Sequence, residues 1–334
     1  MQTAIAAIFV FLLVVLLHEL GHFTVAKMVG IKVNEFSIGM GPKLLQKEKG
    51  DTQYTLRLLP IGGYVKMEGE DENSEDPRSF SKVSPLARIA VVAAGAFMNF
   101  VLAIIVLTIV AFNTGVPTTT IGEIIQNSPA EINGIEPGDR IVEINGTKIS
   151  DWNDITNLVS NSNADEELEV KVLRNNIEQK LSVKPIIEDG RVIIGIIPSY
   201  EKSFSSAIKG GIENTILFVN LMFDFLKMLF QGKVSTNDLS GPIGVISEIG
   251  QAASMGISNV LFLLGFISVN LGFFNLLPIP ALDGSRIVFL LIELVRGKPI
   301  DPDKENLIHT IGFVLLISLM LIVTYKDLIR INIF

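Results

Sequence analysis

The sequence predicts an α-helical membrane protein of four spans, with a small β-rich domain inserted between the second span and the third. Three observations carry this. Of 334 residues, 49% are hydrophobic and only 19% are charged, a balance too apolar for an ordinary soluble enzyme. Four runs approach the roughly 20 residues that a bilayer core requires. Between the second and third of them the pattern changes to short β-branched segments punctuated by turn residues.

The first run is unbroken from Ile5 to Leu17 and extends as a helix from about Thr3 to Met28 if it tolerates His18, Glu19 and His22. Its basic residues begin at Lys27, after the apolar stretch, which is the reverse of a secretory signal peptide. The second run covers about 86–112, the third about 260–277 and the fourth about 311–325. The loop from Lys27 to Arg88 is rich in Lys and Arg, so the positive-inside tendency makes it cytoplasmic. The N-terminus and the long stretch from about 113 to 255 then lie outside. A further apolar segment, 212–230, is interrupted by Asn220, Asp224 and Lys227 at intervals that suit a helix lying in the membrane interface. If it spanned instead, the third run would be reversed and Asp283 would face away from His18 and His22.

No cysteine is present, which excludes disulfides, thiolate metal sites and a cysteine nucleophile. A metal must be held by His and carboxylate. The net charge of -8 is spread along the chain with no basic stripe, so nucleic acid is excluded as a partner.

His18-Glu19-Leu20-Gly21-His22 is a His-Glu-x-x-His motif. A spacing of four puts both imidazoles on one helix face, where two nitrogens reach one metal. Glu19 projects beside that face, and a carboxylate there can take a proton from water that zinc has acidified without itself being a ligand. A single polar residue at this depth reads as a side chain snorkelling to the boundary. Three ionisable groups together in an apolar helix cost several kcal/mol unless paired or ligated, which favours a metal site. A catalytic zinc has a third protein ligand. His309, the only other histidine, stands at the start of the fourth run and reads as a solvated interfacial residue. Asp283, in Asn275-Leu-Leu-Pro278-Ile-Pro280-Ala-Leu-Asp283-Gly284, follows the third run directly. The topology delivers it to the depth of His18 and His22.

These residues resemble the site-2 protease family of intramembrane metalloproteases, and within it the bacterial branch that carries a PDZ domain. The likeness rests on His18-Glu19-x-x-His22, Gly95-x-x-x-Asn99 and Asn275-x-x-Pro278-x-Pro280-x-x-Asp283-Gly284, and covers nearly the whole chain. The family usually has Pro after the second-span Gly; Ala96 stands there instead. The resemblance implies that His18, His22 and Asp283 bind zinc, that Glu19 is the catalytic base, and that Asn99, Asn275, Gly63 and Tyr64 bind substrate. It also implies a membrane-dipping β-hairpin in the stretch from Ser37 to Lys66, where Tyr54–Leu58 alternates like a short strand. A strand edge there can pair with an unwound substrate.

From Gly115 to Pro198, the segments 120–125, 139–144 and 168–173 read as strands, with Asn145-Gly146 as a turn. Ser128-Pro-Ala130, Gly134-Ile-Glu-Pro137-Gly-Asp139 and Asn145-Gly146 resemble an α+β PDZ domain, with Trp152–Ser160 as its helix; Ile193–Ile197 reads as a core strand near a peptide-binding edge.

The expected organisation is a membrane protease core over 1–112 and 258–334, an extracytoplasmic PDZ domain over 113–200, and a linker with an interfacial helix over 201–257. The implied activity is regulated proteolysis of single-span membrane proteins, such as anti-sigma factors or remnant signal peptides, already trimmed by another protease. The implied location is a bacterial cytoplasmic membrane, with the active site toward the cytoplasm. A membrane-anchored PDZ adaptor with a vestigial metal site is the alternative. Glu19 speaks against it, since a structural zinc has no use for a base. A metal transporter explains neither Glu19 nor the β-rich domain.

Overall fold

A computed structural model describes residues 1–70, 74–235 and 239–330, apart from the side chains of Ile61 and Pro302. The first half of the expected core contains residues 71–73, the expected linker 236–238 and the second half of the core 331–334, which lie outside the described residues. The chain divides into two compact units, residues 1–108 with 211–334, and residues 109–210.

The first unit begins with α1 (Gln2–Met28), continues through strands β1 (Val33–Lys49) and β2 (Thr52–Met67), and enters α2 (Pro85–Thr114). The strands are longer than the Tyr54–Leu58 segment that alternation alone picks out, because they pair twice. The first part of β1, 33–38, is flanked by 53–56 on one side and 63–67 on the other, while 43–49 pairs with 52–57. The four segments thus lie in the order 43–49, 52–57, 33–38, 63–67. Tyr54 sits in an inner segment, and Gly63–Met67 forms an edge with no further strand beside it among the described residues.

The second unit holds β3 (Val116–Ile124), α3 (Pro129–Ile132), β4 (Arg140–Ile144), β5 (Thr147–Lys148), α4 (Trp152–Ser160), β6 (Leu168–Arg174), β7 (Ile177–Val183), β8 (Ile186–Glu188), β9 (Arg191–Ile193) and β10 (Ile196–Glu201). The main sheet runs β10-β3-β4-β6-β7, all antiparallel, with β5 on β4. Asn145 and Gly146, both with positive φ, make the tight turn from β4 to β5. Asp151 and Asp154 close a capping box at the start of α4. Ile121, Ile141, Ile144, Ile155 and Val170 fill the core of this unit.

The chain returns to the first unit through α5 (Phe204–Phe230), followed by α6 (Pro242–Met255), α7 (Ile257–Leu276), α8 (Asp283–Arg296) and α9 (Pro302–Arg330). Among the described residues four helices are long and apolar enough to cross a membrane: Gln2–Met28, Pro85–Thr114, Ile257–Leu276 and Asp303–Arg330. The fourth is longer than its apolar run because the helix continues through charged residues at either end. The helical core is built from Val10 and Val14 of α1, Ala103 and Leu107 of α2, and Leu264 and Val269 of α7.

Two features stand out in the stretch expected to be a linker. Helix α6 was not evident in the sequence, since its Gly244 and Gly250 weaken the helical pattern, yet its Ile249 is fully buried in the main core. Segment 212–230 lies lengthwise against α7. Phe218 packs on Phe262 and Phe266, Phe223 on Phe273, and Phe225 on Phe274. These contacts run in the same direction along both helices and extend over about 18 Å of α7. Asn220, Asp224 and Lys227 occupy the exposed face.

Candidate metal centre

The last turns of α1 present His18 and His22 on one face, buried to 8% and 9% exposure. Their Nε2 atoms face each other at 3.1 Å. Asp283, the first residue of α8, brings Oδ2 to 3.2 Å from His18 Nε2 and 3.5 Å from His22 Nε2. One donor atom from each of the three residues lies within 4.8 Å of the others. Residues separated by more than 250 positions in sequence therefore meet at one point.

Helix α2 builds the wall behind the imidazoles. His22 Nδ1 lies 2.9 Å from the Val91 carbonyl; a carbonyl only accepts, so this nitrogen carries a proton and Nε2 of the neutral ring is left with its lone pair. His18 Nδ1 lies 3.3 Å from the Asn99 amide nitrogen, while Asn99 Oδ1 is buried without a hydrogen-bond partner among the described residues. The two ends of an amide are interchangeable by a flip. Turned over, Asn99 accepts Nδ1–H from His18, and both Nε2 lone pairs then point inward.

A pair of inward lone pairs beside a carboxylate fits a cation. Asp283 Oδ2 is itself buried without a well-formed hydrogen bond among the described residues. Burial works against a charge on Asp283, but polar contact with His18 and His22, when protonated, holds its carboxyl well below the usual carboxylate range. A divalent cation supplies the same compensation and displaces the protons. Two imidazoles and one carboxylate form a donor set that suits zinc and leaves a position open.

Gly95 makes this approach possible. A Cβ there would lie 2.6 Å from His22 Cε1 and 2.7 Å from His18 Cε1, so any larger residue would displace the rings. The signal for this glycine was the Gly95-x-x-x-Asn99 spacing, which places both residues on the face turned to α1.

The other candidates are placed unequally. Gly63 abuts the motif helix: a Cβ on it would stand 3.5 Å from Glu19 Cγ and 2.7 Å from Ser37 O. Asn99 is fully buried, and its carbonyl accepts from Ser268 Oγ at 2.8 Å. Asn275 is buried in the last turn of α7. Tyr64 is held inside the hairpin, where Arg57 Nη2 donates to its hydroxyl at 2.5 Å and to Glu35 Oε1 at 2.8 Å. Burial opposes the charge on Glu35, yet hydrogen bonds and the Arg57 guanidinium hold its carboxyl below the usual range.

His309 corrects its sequence reading. Instead of standing in solvent, its ring packs edge-on against Phe289 and Nδ1 accepts the Ala281 N–H at 3.2 Å. Nothing in the local sequence announces this, because the partner is a backbone group 28 residues away in the turn that precedes Asp283.

Comparison with known proteins agrees with the geometry. The model of peptidase family M50 matches residues 6–319. A protein of Clostridium acetobutylicum is 41% identical over 97% of each chain. The regulator of sigma-W protease RasP of Bacillus subtilis is 33% identical over 98% of this chain and 99% of its own. The zinc metalloprotease RasP of Bacillus licheniformis is 33% identical over 99% of both chains. With a His-Glu-x-x-His helix in an apolar bundle, an aspartate converging on it and a family match over nearly the full length, the chain belongs to peptidase family M50, the site-2 proteases, and is an intramembrane zinc metalloprotease.

Proposed function

We propose that His18, His22 and Asp283 hold the zinc, that Glu19 is the general base, and that the substrate is a single-span membrane protein presented as an extended strand. The observation that carries this reading is the meeting of three donor atoms within 4.8 Å at the end of the motif helix. Bound zinc supplies Lewis acidity, which polarises a peptide carbonyl and eases deprotonation of water. Glu19 takes the proton from the attacking water and returns it to the departing amine. Asn99 orients His18 from behind, and Asn275 holds substrate backbone. Asp283 also borders a cavity of about 610 Å³ that it shares with Glu70, Arg88, Arg286, Glu293 and His309. Its polar side chains give water a place beside Asp283.

The free edge at Gly63–Met67 begins next to Glu19, which suits β-addition of an unwound substrate. Gly63 and Tyr64 then contribute backbone groups, because the Tyr64 hydroxyl is engaged by Arg57. A photocrosslinker at Val65 captures substrate on this reading, and one at Tyr54, in an inner segment, does not.

The second unit acts as a PDZ domain that admits substrates trimmed by another protease. Its antiparallel sheet, its Trp152–Ser160 helix and its edge strand β10 support that assignment. Deletion of 115–198 then permits cleavage of untrimmed substrate; unchanged discrimination would count against the filter. The basic loop between α1 and α2 supports a cytoplasmic side for the active site, and an extracytoplasmic N-terminus and second unit, in a bacterial cytoplasmic membrane.

The deciding experiment is cleavage of a co-expressed single-span protein by wild type and Glu19→Gln, with zinc measured in both. The variant keeps its metal and cuts about 10²–10⁴-fold more slowly. Undiminished cutting would defeat the assignment.

A further inference from the structure

The turn that delivers Asp283 has internal backbone bonds at Ile279, whose N–H donates to the Leu277 carbonyl at 2.7 Å, and at Leu282, whose N–H donates to the Ile279 carbonyl at 3.1 Å, but none at Ala281 between them. Between the end of α7 at Leu276 and the start of α8 at Asp283 it contains Pro278 and Pro280, neither of which has an N–H to donate. Its last turn also includes Ala281 at φ 74°, a left-handed conformation that a non-glycine residue holds only when its surroundings impose it. The other non-glycine residues with positive φ among those described are all Asn or Asp, whose side chains tolerate it. Ala281 has no such help of its own.

The support comes from α9. His309 Nδ1 accepts the Ala281 N–H at 3.2 Å, so the proton of the neutral ring is on Nε2, which lies 3.8 Å from Glu305 Oε1. Three residues further along α9, a Cβ on Gly312 would stand 2.7 Å from both the carbonyl carbon and the oxygen of Pro280. Two adjacent turns of α9 thus press on two successive residues of the turn. Elsewhere α9 is sparsely packed, with 6% of its apolar window buried; its other anchor in the described unit is Asp327, buried against the start of α6.

We propose that His309 is a positioning residue for the metal centre: by holding left-handed Ala281 it fixes the approach of Asp283, two residues on, to the imidazoles of His18 and His22. The proposal rests on the reading of Asp283 as a zinc ligand. Its consequence is that a residue of the fourth span, outside the motif and not itself a ligand, sets how tightly the metal is held.

The test compares zinc affinity, by competition with a chelator, in purified full-length wild type and the variants His309→Phe, His309→Asn, His309→Gln and Asp283→Ala, with thermal unfolding followed in parallel. Asn places its Oδ1 where Nδ1 stands and retains wild-type affinity within about twofold. Phe keeps the ring without the acceptor and binds zinc about tenfold or more weakly. Gln carries its amide one bond too far and falls with Phe, so the Asn and Gln pair decides the matter should Phe fail to fold. Wild-type affinity in the Phe and Gln variants, or equal loss in Asn and Gln at matched stability, overturns the positioning role. Wild-type affinity in Asp283→Ala instead overturns the ligand reading beneath it.

Discussion

Asp327 Oδ2 accepts the Gly244 N–H at 2.8 Å, and its Oδ1 accepts the Gly241 N–H at 3.2 Å. A carboxylate near the end of α9 therefore caps the start of α6, whose own N-cap residue, Gly241, has no side chain to do so. The first N–H groups of a helix need partners, and a buried anion there also meets the positive end of the helix dipole. Asp327→Ala is expected to lower stability by about 1–2 kcal/mol, with Asp327→Asn losing less because it keeps one acceptor. Denaturant midpoints in detergent check this, and an Ala variant as stable as wild type would show that the cap is idle.

The space at Gly95 sets a second expectation. Because a Cβ would intrude at 2.6 Å on His22 Cε1 and 2.7 Å on His18 Cε1, Gly95→Ala should turn both rings and weaken zinc binding by about tenfold or more. Metal content after dialysis measures the loss. Full retention would mean that the rings have freedom the packing does not suggest.

Asn99 is expected to act through His18. If its Oδ1 accepts the Nδ1–H, Asn99→Leu removes the acceptor that fixes the tautomer and costs about 10–100-fold in zinc affinity. Asn99→Asp, which accepts on either oxygen, should hold the metal better than Leu. Equal affinities for the two variants would remove the orienting role.

The second unit carries a pH prediction. Arg174 donates to both Asp139 oxygens at 2.7 Å, and the Glu136 N–H adds a third bond at 2.9 Å. Burial pushes the Asp139 carboxyl up, but these bonds prevail and hold it below its usual value. With the folded value below the unfolded one, its contribution is complete above the unfolded value, near pH 3.9. It is lost as pH falls through the folded value. Asp139→Asn should lower stability at neutral pH by about 2–3 kcal/mol and flatten the acid limb. Trp152, the single tryptophan, packs against this unit's core and reports the unfolding by fluorescence. An unchanged acid limb in the variant would place its origin elsewhere.

Features that depend on near neighbours are legible along the chain. The apolar runs mark α1, α2, α7 and α9 because lipid and packed helices demand the same side chains. A spacing of four turns His18 and His22 to one face, and Asn145-Gly146 makes its turn because both residues accept positive φ. Features that depend on distant partners emerge only in the folded molecule. Helix α6 gains its place from Ile249 in a shared core and from a carboxylate 83 residues away, neither of which leaves a local pattern. The inner place of Tyr54 and the edge at Gly63–Met67 follow from one strand pairing on both its sides. His309 exchanged a solvated reading for a hydrogen bond to Ala281 because the fold brings a lone pair to a backbone N–H that its own turn cannot satisfy. Local preference is additive along the chain and can be read there, whereas a contact between remote groups exists only once the backbone has closed around it.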